Sequence, residues 1–218
     1  ATTEIYTLSL HDALPIIDEA AALSTRPDPV ITLDGEFEQA CVAANHGRAA
    51  LDAFNGALLD AARERWPDRW TELVPRPFAI ASWVGCDTDG RTDIGWWDTL
   101  RYRLESKRMQ LERVARDLPG IPATRVVREI TESALAAVNR QLAVAPRLGT
   151  QPSLEAVHRF ALALIIERDR AQTDAGALLA GLAAAMTAAT DDAERRTIAI
   201  LRSGISTCSR CASSRRSP

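Results

Sequence analysis

The sequence predicts a mainly α-helical fold carrying a single strand. Two observations predict it. Apolar residues recur at helical spacing in six or seven stretches, each closed by proline or glycine. Against that background one short run, FAIASWV at 78–84, is continuously apolar, lies between Pro77 and Gly85, and has the length and composition of a strand.

Composition narrows the class. The chain has 218 residues, 46% of them hydrophobic and 25% charged, the balance of a globular protein with one large domain or two small ones. A net charge of −3 offers no electrostatic footprint for nucleic acid. No apolar run reaches the roughly 20 residues that span a bilayer. The first residues lack the basic stretch and apolar core of a secretory signal. Four scattered cysteines do not make a disulfide framework, so reduced thiols and a cytoplasmic location are expected.

In chain order, a short helical piece follows Ile17, and Pro27 and Pro29 make a linker. Asp34 can cap a helix running from Phe37 to about Trp66, with Phe37, Ala40, Ala44, Leu51, Leu58 and Leu59 at helical spacing. Pro67, Pro75 and Pro77 turn the chain into the strand candidate. A helix is predicted from Trp96 to Leu118, and another from Pro122, which suits a first helical position, to about Val144. Ser153 can cap a helix over 154–169, and Asp174 a short one ending near Ala188. Asp191 and Glu194 have capping-box spacing ahead of a last helix ending near Gly204.

Both ends change character. Residues 1–16, ATTEIYTLSLHDALPI, resemble the conceptual translation of a sequencing adapter over their whole length. They are expected to be a non-native scar, so His11 and Asp12 receive no role. Residues 207–218 are rich in serine and arginine and are expected to form an irregular or frame-shifted tail. Cys208 and Cys211 form a CxxC, but half a ligand set without a second pair is not expected to bind metal.

The chemistry-bearing residues concentrate in SWVGCDTDGRTDIGWW, 82–97, which holds three glycines, three aspartates and three tryptophans. Gly85 and Gly90 permit backbone conformations closed to other residues. Asp87 and Asp89 between them can bind a cation, accept from backbone amides or pair with Arg91 and Arg101. DTDG opens like a calcium loop, but Trp96, Trp97 and Leu100 stand where such a loop needs its glutamate. A strand feeding a glycine-bounded polar loop and then a helix is one βα unit, and in a barrel of such units that loop lies at the catalytic mouth.

The stretch FAIASWVGCDTDGRTDIGWWDTLRYRLESKRMQLERV resembles the phosphoenolpyruvate carboxylase family, in a divergent bacterial branch. The resemblance runs from about Ile31 to Gln110 and fades toward Gly204. Ser82, Trp83, Val84, Gly85, Asp87, Asp89 and Gly90 match the family's signature; Cys86, Thr88 and Arg91 replace its glycine, arginine and asparagine. The resemblance implies a helix-wrapped (β/α)₈ barrel that carboxylates phosphoenolpyruvate with bicarbonate, giving oxaloacetate and phosphate. It also implies Mg²⁺ or Mn²⁺ as cofactor, a cytosolic homotetramer, and an early barrel strand at 78–84. Ser82, Trp83, Gly85, Asp87, Asp89, Gly90 and Arg91 would then lie beside the active site. Thr88 cannot hold an anion bidentately as an arginine would.

The family's TAHPTE-like histidine segment and its FHGRGG-like loop do not occur in the 218 residues, and a barrel takes ~250 residues. Residues 17–206 are therefore expected to be a partial domain, catalytically inactive alone and holding no metal. The alternative is a non-catalytic helical interaction module. Elsewhere, His46 and His158 read as structural, Cys41 and Cys86 as small apolar residues, Trp96 and Trp97 as core anchors, and the arginine-rich 101–116 helix as a solvated face.

Overall fold

The computed structural model describes residues 32–86, 94–171 and 175–213, with the side chains of 207–213 excepted. Among them are six helices: α1 (Leu33–Arg65), α2 (Trp96–Asp117), α3 (Arg125–Ala143), α4 (Leu154–Ile166), α5 (Gly176–Ala188) and α6 (Asp192–Ser213). Short 3₁₀ turns at Trp70–Glu72 and Pro122–Thr124 join the connections. None of these helices is long and apolar enough to cross a membrane.

The helix boundaries follow local chemistry. α1 starts at Leu33, ahead of the expected Phe37, so Asp34 sits in the first turn with Glu36, where carboxylates suit the positive end of the helix dipole. Pro122 opens a 3₁₀ turn before α3. Ser153 caps α4 as expected, its hydroxyl accepting from the Ala156 amide at 3.2 Å. The Asp191 carboxylate accepts from the Glu194 amide at 3.3 Å, one half of the expected box. α4 stops at Ile166, short of 169, and α6 runs past Gly204 to Ser213. The Asp174 cap lies outside the described residues.

The strand expected over 78–84 does not form, and no strand occurs among the described residues. Residues 78–83 run without helix or ladder, and 84–86 turn. A strand exists only against a neighbouring strand, and no described segment pairs with this one. Ile80 packs over Gly47 of α1, whereas Phe78 and Trp83 point outward, Trp83 79% exposed.

Two apolar clusters hold the helices together. The larger joins Leu59 of α1, Val127 of α3, Leu182 of α5 and Ile198 of α6, with Trp70 and Leu118 closing its sides. The smaller packs Leu111 of α2 against Ala134, Ala137 and Val138 of α3. Gly181 lets α5 approach α3 closely, since a methyl group there would stand 2.8 Å from Val127.

Ion pairs tie the same helices. Arg196 of α6 grips Asp60 of α1 through two bonds of 2.7 and 2.8 Å. Arg113 of α2 pairs with Asp52 of α1, and buried Arg48 donates to the Gly204 carbonyl at 3.3 Å. The solvated face expected over 101–116 is thus only partly solvated. Arg103 and Arg116 are exposed, but Arg108 is half-buried, Arg113 is mostly buried against α1, and Arg101 donates to the Pro146 carbonyl at 2.8 Å. Both sit where α2 meets a neighbour offering an oxygen, which turns a surface arginine into a tether.

Glu167, just after α4, is buried and accepts two bonds from Arg140 of α3, at 2.8 and 2.9 Å. These bonds hold its carboxyl below the ordinary glutamate value of 4.5. A depressed pKa contributes stability that is complete above 4.5 and is lost as pH falls through the folded value. The midpoint of urea unfolding should therefore drop less between about pH 6 and about pH 3 in Glu167→Gln than in the wild type. Equal drops would mean that the carboxylate contributes nothing.

Candidate functional site

The 82–86 turn is seated on α2, and each contact has a local cause. The Trp83 carbonyl accepts from the Cys86 amide at 2.8 Å, closing a tight turn, and the Ser82 hydroxyl accepts from the Val84 amide at 3.2 Å. Gly85 has φ +71°, the left-handed region that glycine enters without steric cost. Its carbonyl accepts from the Thr99 hydroxyl at 2.5 Å. Its α-carbon lies so closely over the Tyr102 ring that a methyl group there would overlap the ring carbons. Tyr102 is buried and packs on Phe37 of α1, ring centres 4.3 Å apart.

The start of α2 is built to receive the turn. Gly95 precedes the helix, and the Asp98 carboxylate reaches back to accept its amide at 2.9 Å. Trp96 stacks on Phe160 of α4 with ring centres 6.2 Å apart and planes nearly parallel, and meets Trp97 edge-on. Trp96 remains 45% exposed, so it bridges two helices and is not the core anchor expected of it.

Of the seven residues expected beside an active site, Ser82, Trp83 and Gly85 are brought together. Asp87, Asp89, Gly90 and Arg91 lie outside the described residues. Trp83, Val84, Gly85 and Ile94 form one wall of an open groove of about 470 Å³, and Leu33, Glu36 and Gln39 of α1 line the other. Among the described residues, no lysine or arginine lines it. The described polar side chains that face it are the Glu36 carboxylate and the Gln39 amide.

Between α1 and α2 lies a second cleft, of about 590 Å³, with Arg48, Arg113 and Arg116 facing Asp52, Glu112 and Asp117. Its charges are largely engaged with one another: Arg113 with Asp52 and Asp117, Arg116 with Asp117. Burial raises the Asp52 carboxyl pKa against the pull of Arg113.

The described residues offer no donor set for a divalent cation. Among the described residues no group of three or more histidine, cysteine, aspartate or glutamate side chains could hold a metal ion. Mg²⁺ and Mn²⁺ need several oxygen donors around one point, so the described residues do not fit them. Cys41 is half-buried and Cys86 exposed, with the Arg103 guanidinium 3.7 Å from the Cys86 sulfur, so Cys86 is not the packed apolar residue expected. His46 and His158 are both exposed. The side chains of Cys208 and Cys211 fall outside the described residues.

Thr99, Tyr102 and Asp98, which anchor the turn, were not singled out by sequence reasoning. Gly95 followed three residues later by Asp98 is the spacing of a helix start and was there to be read. Comparison with protein-family models, curated proteins and solved structures finds no match for this chain.

Proposed function

We propose that this chain is a helical section of an enzyme of the phosphoenolpyruvate carboxylase type, catalytically inactive without the rest of that enzyme. The reaction would join bicarbonate to phosphoenolpyruvate and release phosphate, with Mg²⁺ or Mn²⁺ held by residues elsewhere in the enzyme. One observation carries the reading: an apolar segment, 78–83, exposed except at Ile80, leads into a turn clamped on the helix that follows. Phe78 is 51% exposed and Trp83 more so. This is the order of a βα unit whose strand lacks its sheet neighbours. The chain's own contribution is positional. Thr99 and Tyr102 fix Gly85, and so hold Trp83 and Val84 in the groove wall.

The exposure of Trp83 and Phe78 supports a second reading, a helical interaction module that uses these two side chains as contact residues. The experiment that separates them reads the source open frame as one long molecule. The encoded protein is then assayed for oxaloacetate formation from phosphoenolpyruvate and bicarbonate with Mg²⁺. Turnover is expected, falling by about tenfold or more in Trp83→Ala with helical content unchanged. A longer frame whose folded product has no turnover, or a native frame of these residues alone, overturns the reading.

A further inference from the structure

α1 turns a row of polar side chains inward. Arg48, Asp52 and Asn55 follow one another at one-turn intervals, Arg48 and Asn55 buried, on the face that meets α2 and α6. Arg48 donates to the Gly204 carbonyl, and Asp52 Oδ2 accepts from Arg113. The other carboxylate oxygen, Asp52 Oδ1, is buried and has no hydrogen-bond partner among the described residues. Asn55 is 0% exposed, and its amide oxygen and nitrogen are both without one. Such atoms call for a partner, because an interior that leaves them dry loses their hydration and gains nothing for it. The junction has space for one. A methyl group on Gly204 of α6 would stand 3.7 Å from Asp52 Oδ1 and 3.8 and 3.9 Å from the terminal nitrogens of Arg113, with no atom of another element nearer. It also has an entrance, the cleft of about 590 Å³ that Asp52 and Arg113 line.

We propose that the junction of α1, α2 and α6 is a binding site for internal water. One molecule lies between Gly204 and Asp52, donates to Asp52 Oδ1 and accepts from the Asn55 amide nitrogen. A second donates to the Asn55 oxygen and bonds to the first. Side chains one turn apart on a helix stand about 5–6 Å apart at Cβ, a span that one water closes. The chemistry selects water over an ion. Asp52 Oδ1 needs a donor, the Asn55 nitrogen needs an acceptor and its oxygen a donor, and only a group that both gives and takes hydrogen bonds serves all three. Arg113 already balances the charge of Asp52, so a further ion would go uncompensated. Two or three partners for each molecule is the usual number for buried water.

The test is a high-resolution crystal structure of the 218-residue chain, with urea unfolding of two variants beside it. Ordered water within about 3 Å of Asp52 Oδ1 and of the Asn55 amide is expected. An Asn55 amide bonded directly to Asp52 or to a backbone carbonyl, or a dry junction, overturns the proposal. Asn55→Leu should lower the urea midpoint by about 0.5 M, because it leaves Asp52 Oδ1 without its water. If the amide is dry, the same change removes an unpaired polar group and the midpoint rises. Gly204→Ala has room for its methyl group, and alanine favours a helix interior over glycine, so on those grounds alone it should stabilise. With water in that space the methyl group displaces it, and the midpoint should fall instead. A rise in either variant counts against the site. None of these outcomes depends on catalysis, so they stand apart from the functional reading above.

Discussion

Gly85→Ala is expected to lower stability by about 2–4 kcal/mol, the sum of left-handed backbone strain and overpacking against an immobile ring. Both parts are visible. The φ of +71° is one that an alanine adopts only at a cost, and the added methyl group would overlap the Tyr102 ring. Tyr102 cannot swing aside, because it is 2% exposed and lies on Phe37. Relief must come from the turn, which lifts from α2 and loses the Thr99 bond. Urea unfolding followed by tryptophan fluorescence measures the loss. The companion is Tyr102→Ala, made both in the wild type and in the Gly85→Ala protein. If the clash is the cause, removing the ring costs less in the Gly85→Ala protein than in the wild type, and the two changes are not additive. A Gly85→Ala protein within about 0.5 kcal/mol of the wild type would mean that the turn is not held as described.

How much of this could be read beforehand depended on how local each cause is. The helices were legible because apolar spacing and end signals lie within a few residues of one another. α2 begins at Trp96 and α5 ends at Ala188, as expected. The strand was not. FAIASWV has the composition of a strand, but pairing belongs to two segments, and composition says nothing of whether the second is at hand. The clamp on Gly85 was hidden for a similar reason. Thr99 lies 14 residues from Gly85, and the contact forms only because α2 leaves its first turn in one particular direction. Arg101 and Arg113 looked like solvated charges because their partners, the Pro146 carbonyl and Asp52, are 45 and 61 residues away. The glycine itself was legible as a residue the backbone needs. The identity of the ring above it was not.

Phe160→Ala is expected to cost about 3–5 kcal/mol, the range for emptying a fully buried aromatic site. The ring is 0% exposed, and it stacks on Trp96, the first residue of α2. It therefore joins α4 to the helix that carries the clamp. Phe160→Leu keeps most of the volume and should recover more than half of the loss, which separates packing from ring stacking. Near-ultraviolet circular dichroism reports the change at Trp96, and urea unfolding reports the energy. Hydrogen exchange at the Cys86 amide, bonded within the turn, then tells whether the site shares the damage. Faster exchange in Phe160→Ala, under conditions where the protein stays folded, would show that α4 supports the groove wall through Trp96. Unchanged exchange would show that Gly85, Thr99 and Tyr102 hold the turn by themselves. The wall beside Ser82 and Trp83 would then be set by α2 alone.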